Sequence, residues 1–242
     1  MPDPEQQQLE LPFEAGATGP KPPDRARGPS KPLPRRFRTM TPLLAEGPFD
    51  DPGYRFEPWW PGLRVVLVAE SGAVRLQAEQ LADPLAAFPE LARVAELLRS
   101  DGVALDGTLL VLDAHGRPDA DLLRERLSFP EVRDGAPALV ASDLLYAGGE
   151  EVTGRPFGER LERLTALLRE TDWCMVARGY VGEGRTVAAA LEAMGLQAMS
   201  ARHLASRYRA GPSAGAWLRV PLTPPTEPPR RPTLALIQRL GL

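Results

Sequence analysis

The chain's 242 residues allow one domain of ordinary size plus tails, and an apolar share of 43% is enough for a sizeable core. No run approaches the roughly eighteen continuous apolar residues of a membrane span. The start, Met1-Pro2-Asp3-Pro4-Glu5, lacks the basic and apolar regions of a secretory signal, so no leader is expected. One cysteine, Cys174, cannot close an internal disulfide, and two histidines, His115 and His203, argue against a His/Cys metal site; a reducing cytoplasm is expected. The net charge of −3 divides unevenly. Residues 1–40 carry seven Lys/Arg against five Asp/Glu, residues 41–222 nineteen against twenty-six, and residues 223–242 three against one. A surface that wraps DNA is normally basic, so the acidic middle predicts weak or no direct DNA binding.

In chain order, residues 1–40 are rich in Pro, Gln, Gly and charge, a composition that cannot offset the entropy of ordering and predicts a disordered tail. Within it, Arg35-Arg36-Phe37-Arg38 reads as a solvated basic patch. Short β-rich apolar runs follow at Leu63–Ala69, Val103–Asp113, Pro137–Tyr146 and Asp172–Arg178. Helical spacing places Phe88, Leu91, Ala95 and Leu98 on one face, and Phe157, Leu161, Leu164 and Leu168 on another. Thr186–Met194 is Ala-rich and ends at Gly195, a helix stop. Residues 223–231 read as a Pro-rich linker before a short C-terminal helix at Leu234–Ile237. The pattern predicts an α+β domain over 41–222 with largely antiparallel sheets, although propensity alone leaves a parallel α/β fold open.

Lysine usage is the sharpest compositional feature. Lys21 and Lys31 are the two lysines, both in the tail, and residues 32–242 contain none. Preference for arginine accounts for surface positions, but not for a reaction that needs a primary amine.

Several segments, taken in order, resemble the adenylation domain of bacterial ATP-dependent DNA ligases. Phe56-Glu-Pro-Trp-Trp-Pro-Gly-Leu-Arg64 stands where the family reads E-P-K-W-D-G-Y-R. Leu105-Asp-Gly107 and Asp113-Ala-His-Gly-Arg-Pro-Asp119 resemble the L-D-G-E strand and the D-x-x-G-R-P-D turn. Ser142-Asp-Leu-Leu-Tyr146 is similar to F-D-L-L-Y. Gly195–Arg202, Ser206-Arg-Tyr-Arg209 and Trp217-Leu-Arg-Val220 are similar to G-L-E-G-V-V-A-K, S-x-Y-R and W-L-K-V-K. The resemblance spans about residues 41–221. It implies a ligase/mRNA-capping-type nucleotidyltransferase fold, with two mainly antiparallel sheets flanked by helices, a cleft between them, and no OB-fold domain in this sequence.

The departures fall on the chemistry. The resemblance puts Trp59 at the position of the lysine nucleophile, and an indole nitrogen is a donor without a free lone pair. Arginine cannot substitute, because its neutral form is negligible at pH 7. The next motif acid is Pro61, the glutamate after L-D-G is Thr108, and the adenine-stacking aromatic is Ser142. The fourth motif carries Gln197 and Arg202 for Glu and Lys, the last two lysines are Arg219 and Pro221, and Glu79 stands where the family has an arginine. No catalytic residue is therefore expected, and Trp59 is expected to pack into the vacated pocket at the cleft floor. Glu57, Arg64, Asp106 and Tyr146 remain as candidate residual ATP contacts, beside Gly62 and Asp143, all of which folding alone could explain. No cofactor or metal is required by this reading. The implied function is an inactive accessory module in DNA repair; the alternatives are a working ligase or nucleotidyltransferase, and an ATP-binding sensor. In the tail, Gln8, Leu9, Leu11 and Phe13 are similar to the hexapeptide with which bacterial proteins bind the DNA sliding clamp, an extended segment offering a Gln and two apolar anchors. A repair ligase or polymerase is a further expected partner, and a membrane is not.

Overall fold

The structure, a computed structural model, describes residues 32–79, 81, 83–223, 233–239 and 241. The Gln8–Phe13 peptide, most of the 1–40 tail and most of the 223–231 linker lie outside the described residues. In chain order the strands are β1 (Met40–Thr41), β2 (Leu43–Leu44), β3 (Asp51–Pro58), β4 (Leu63–Glu70), β5 (Ala73–Ala78), β6 (Val103–Leu112) and β7 (Ala136–Ala147). They continue with β8 (Glu150–Glu151), β9 (Cys174–Val176), β10 (Tyr180–Gly182), β11 (Ala198–His203), β12 (Gly211–Pro212) and β13 (Trp217–Pro221). The helices are α1 (Pro84–Ala87), α2 (Val94–Leu97), α3 (Ala120–Ser128), α4 (Phe157–Leu167), α5 (Gly184–Ala193) and α6 (Leu234–Arg239).

The strands form two large sheets, one in the order β10-β3-β11-β13-β2 and one in the order β5-β4-β6-β7-β8, with β9 also on β7. Every pairing within them is antiparallel except β13 with β2 and β7 with β9. This is the α+β arrangement that the sequence pattern predicts, and the parallel α/β alternative is excluded. β4 shows why its sequence is almost continuously apolar: Val65, Leu67 and Ala69 face the helices α1–α4, while Val66 and Val68 face the other way, and all five are buried.

Two stretches differ from expectation. The helical stripe Phe88–Leu98 becomes a 3-10 turn, Pro89–Arg93, followed by the single-turn α2. Pro89 pushes Phe88 out of the helical region (φ −133°, ψ 59°), and Leu98 is extended and bridges Leu168. Phe88, Leu91 and Leu98 are nevertheless buried, so the stripe faces the core. At the tail boundary, residues 32–39 have no regular structure, but Leu33 and Met40 are buried against Val66, Val68 and Trp217. The packed unit thus reaches back to Leu33.

Two framework glycines owe their place to close approach. A Cβ on Gly62 would lie 2.4 Å from the Leu109 carbonyl oxygen, and one on Gly107 would lie 2.6 Å from that of Val140. Both contacts let β4, β6 and β7 converge beneath the cleft. Among the described residues, no helix is long and apolar enough to cross a membrane.

Candidate functional site

Strand alternation aims a row of polar side chains into the space between the sheets. On β3 and β11, Glu57 and Ser200 are register partners, as are Arg55 and Arg202. Across the cleft, Arg64 on β4 pairs with Thr108 on β6, and Val66 pairs with Asp106, so Asp106 and Thr108 share the cleft face.

These groups form two linked ion networks. In the first, Arg64 donates from Nε to Asp106 Oδ1 (3.0 Å) and from Nη2 to Oδ2. Tyr208 donates its hydroxyl to the same Oδ2 (2.7 Å), and Arg64 Nη1 also reaches the Met40 carbonyl oxygen (2.5 Å). Burial pushes the Asp106 carboxyl up, but Arg64, Arg202 and the Tyr208 hydroxyl outweigh it and hold the group below the ordinary carboxylate range. Burial, then Asp106, raises the Tyr208 phenol far above its usual value. In the second network, Arg160 of α4 makes a bidentate pair with Asp143 (2.7 and 2.8 Å), both fully buried. Arg202 Nη1 lies 3.3 Å from Asp143 and Nη2 3.1 Å from Ser142 Oγ, with Nε 3.7 Å from Glu57 Oε2. Glu57 also accepts from Arg55 Nε (2.9 Å). Burial dominates at Glu57, raising its carboxyl above the usual range despite Arg202 and Arg55.

Trp59 occupies the middle of the cleft. Its backbone N–H extends the β3–β11 ladder to the Ala198 carbonyl (3.2 Å). Its indole stacks on Trp217 (centroids 5.8 Å, planes 27° apart), and the Arg219 guanidinium covers it at 5.1 Å. Trp217 is in turn faced by Arg64 at 4.6 Å and Arg202 at 4.4 Å, and donates its N–H to Ser200 Oγ (2.7 Å). Trp60 is buried, and its indole N–H has no hydrogen-bond partner among the described residues.

Two cavities flank this pair of tryptophans, and Trp59 and Trp60 line both. One, of about 80 Å³, holds Glu57, Arg64, Asp106, Thr108, Ser142 and Arg202. The other, of about 330 Å³, holds Pro61, Met194, Leu196, Gln197 and Arg219. The motif positions are thus split between two compartments. At about 80 Å³ the smaller cavity is well below the roughly 300–1,000 Å³ of sites that hold drug-sized ligands. Neither compartment is lined by an amine.

Of the candidate residues, Glu57, Arg64 and Asp106 line the smaller cavity, while Tyr146 does not. Tyr146 bonds Glu151 (3.2 Å) and meets the Phe37 ring edge-on, outside the cleft. Glu79 is exposed at the end of β5 and lines neither cavity. The sequence reading assigned no role to Arg160, Ser200, Tyr208 or Trp217. Arg160 had a signal, since Phe157, Arg160 and Leu164 form the buried stripe of α4, and a charge on such a stripe implies a buried counter-charge. Among the described residues, no cluster of three or more His, Cys, Asp or Glu is arranged to hold a metal ion.

No protein-family model matches the chain. It is 31% identical over 166 residues to the multifunctional non-homologous end joining DNA repair protein LigD of Mycobacterium tuberculosis, covering 69% of this chain and 21% of that protein. It is 30% identical over 168 residues to a probable DNA ligase of Anaeromyxobacter sp., covering 66% of this chain and 32% of that one. Among solved structures, mycobacterial DNA ligase D complexed with ATP and MES superposes with a TM-score of 0.65 at 28% identity, over 76% of this chain and 60% of the other. The chain spans about a fifth of the length of the LigD protein that it matches.

Proposed function

We propose that this chain, whose homologues are bacterial ATP-dependent DNA ligases and whose fold is that of their adenylation domain, does not adenylylate itself and serves DNA repair as an accessory module. The observation that carries this reading is Trp59. A ligase-type reaction needs an unprotonated amine against an α-phosphate, and at that position stands an indole packed between Trp217 and Arg219. Lys21 and Lys31, the two lysines of the sequence, lie outside the described residues.

The surrounding positions support the same reading. Arg64 and Asp106, candidates for residual nucleotide contact, are hydrogen-bonded to each other and to Tyr208, and Glu57 accepts from Arg55 and faces the Arg202 charge. Ser142 offers no ring for stacking on adenine, and Thr108, Pro61 and Gln197 offer no carboxylate for a metal. ATP is therefore not a required cofactor of this chain. The site's ionic and aromatic groups instead hold the two sheets together, which explains a framework that is readable around a changed centre. The partners that fit are the sliding clamp, through Gln8–Phe13, and a complete repair ligase or polymerase.

A nick-sealing assay tests the proposal. With ATP and a divalent metal, the full chain should leave a 5′-phosphorylated nick in duplex DNA unsealed. Sealing above that of a heat-treated sample would restore the enzyme reading.

A further inference from the structure

The larger cavity is chemically unlike a nucleotide phosphate site. Two positions where the resemblance implies acids carry Pro61 and Gln197, and no Asp or Glu among the described residues lines the cavity. Its described walls are Trp59 and Trp60 together with Met194, Leu196 and Ile237, with Arg219 as the charged group among them. Arg219 is exposed and rests on Trp59, so its position is fixed while its charge stays available. The cavity does not end there. Leu44 on β2 is the register partner of Arg219 on β13, so the two side chains share one face of the sheet, and Leu44 is 75% exposed. An apolar pocket, the Arg219 guanidinium and an exposed leucine follow one another along that face. A small molecule seated in 330 Å³ would leave Leu44 bare, whereas an extended chain segment would cover all three.

We propose that this face docks a segment of a partner protein that sets one large apolar side chain between Trp60, Met194 and Leu196 and a neighbouring carboxylate on Arg219. The inference deepens the accessory role and rests on it, since it gives the cleft's altered half a use that the family chemistry does not supply.

The test uses the full chain, labelled with ¹⁵N, and three acetylated, amidated peptides: Gly-Glu-Phe-Glu-Gly, Gly-Gln-Phe-Gln-Gly and Gly-Glu-Ala-Glu-Gly. The indole resonances of Trp59 and Trp60, assigned with Trp59→Phe and Trp60→Phe, report on the site. The acidic phenylalanine peptide should shift both. The glutamine peptide should bind about fivefold more weakly, as expected for one exposed ion pair, and the alanine peptide about tenfold more weakly. Arg219→Gln, at an exposed position, should abolish the preference for glutamate without affecting folding. Equal binding of the three peptides, no shift at millimolar concentration, or an unchanged preference in Arg219→Gln would overturn the docking site. Failure of the underlying reading looks different: ATP with magnesium would then displace the peptide and leave label covalently on the protein.

Discussion

Trp59 lies flat against Trp217, with 5.8 Å between ring centroids and 27° between planes, and the stack divides the space between the two sheets. On one side Glu57, Arg64, Asp106 and Arg202 line a cavity of about 80 Å³, and on the other Arg219 borders about 330 Å³ of mostly apolar space. One side chain thereby stands at the position that the family resemblance gives to the nucleophile and separates the two cavities.

Replacing Trp59 by lysine should not create an active protein. The new amine would enter a cleft in which Thr108, Ser142, Pro61 and Gln197 still lack the carboxylates and ring of the family pattern, and loss of the Trp217 stack should lower stability by about 1–2 kcal/mol. Trp59→Lys incubated with labelled ATP should remain unlabelled, with a midpoint of urea unfolding below that of the wild type. Labelling of this variant would show that the rest of the site is intact.

The Arg160–Asp143 pair should dominate the stability of the helical face. Both groups are fully buried, so Arg160→Met leaves a buried carboxylate with Arg202 as its remaining charged neighbour. A cost of about 3–5 kcal/mol is expected at pH 7, most of it relieved in Arg160→Met/Asp143→Leu. Urea titration measures both, and a cost for the single variant near that of a surface change would contradict the pairing.

Asp106 predicts a pH signature. Its folded carboxyl sits below the ordinary range, because Arg64, Arg202 and Tyr208 outweigh burial. The stability it contributes is therefore present above the unfolded value of about 4, and is lost as pH falls through the folded value. Asp106→Asn should cost about 3 kcal/mol at pH 7, and the gap to the wild type should narrow only below about pH 4. Glu57 has the opposite sign: its raised carboxyl favours the fold at low pH, and that contribution fades as pH rises through its folded value. A gap for Asp106→Asn that stays constant from pH 7 to pH 3 would rule out the proposed pairing.

The tail peptide makes an independent prediction. A synthetic segment covering Gln8–Phe13 should bind the cognate sliding clamp, and alanine at Gln8, Leu11 and Phe13 together should abolish binding. Fluorescence anisotropy separates the outcomes, and equal affinity of the two peptides removes the clamp from the list of partners.

The alternating strands and the helices near Phe157–Leu168 and Thr186–Met194 were legible because apolar spacing records which face is buried, and the ordered motif remnants carried the fold. Pro89, inside the expected 88–98 stripe, instead breaks it into a 3-10 turn and the single-turn α2. Strand β3 was hidden because Asp51-Pro-Gly-Tyr-Arg-Phe-Glu-Pro58 has little apolar alternation, and its partner strands β10 and β11 lie more than a hundred positions away. The same distance hid the roles of Tyr208 and Trp217, whose partners Asp106 and Trp59 are adjacent only in the folded chain. The loss of the amine needed no structure, since it follows from two lysines in the tail and none beyond. That an indole stack divides the cleft did need one.

Covalent labelling by nucleotide separates an inactive chain from an active one. The full chain is incubated with α-³²P-labelled ATP and magnesium or manganese, then resolved by denaturing electrophoresis beside an active ligase. No labelled band is expected at 26.3 kDa, with the control labelled strongly. An acid-labile, hydroxylamine-sensitive band at that mass would contradict it, whichever residue carried the nucleotide.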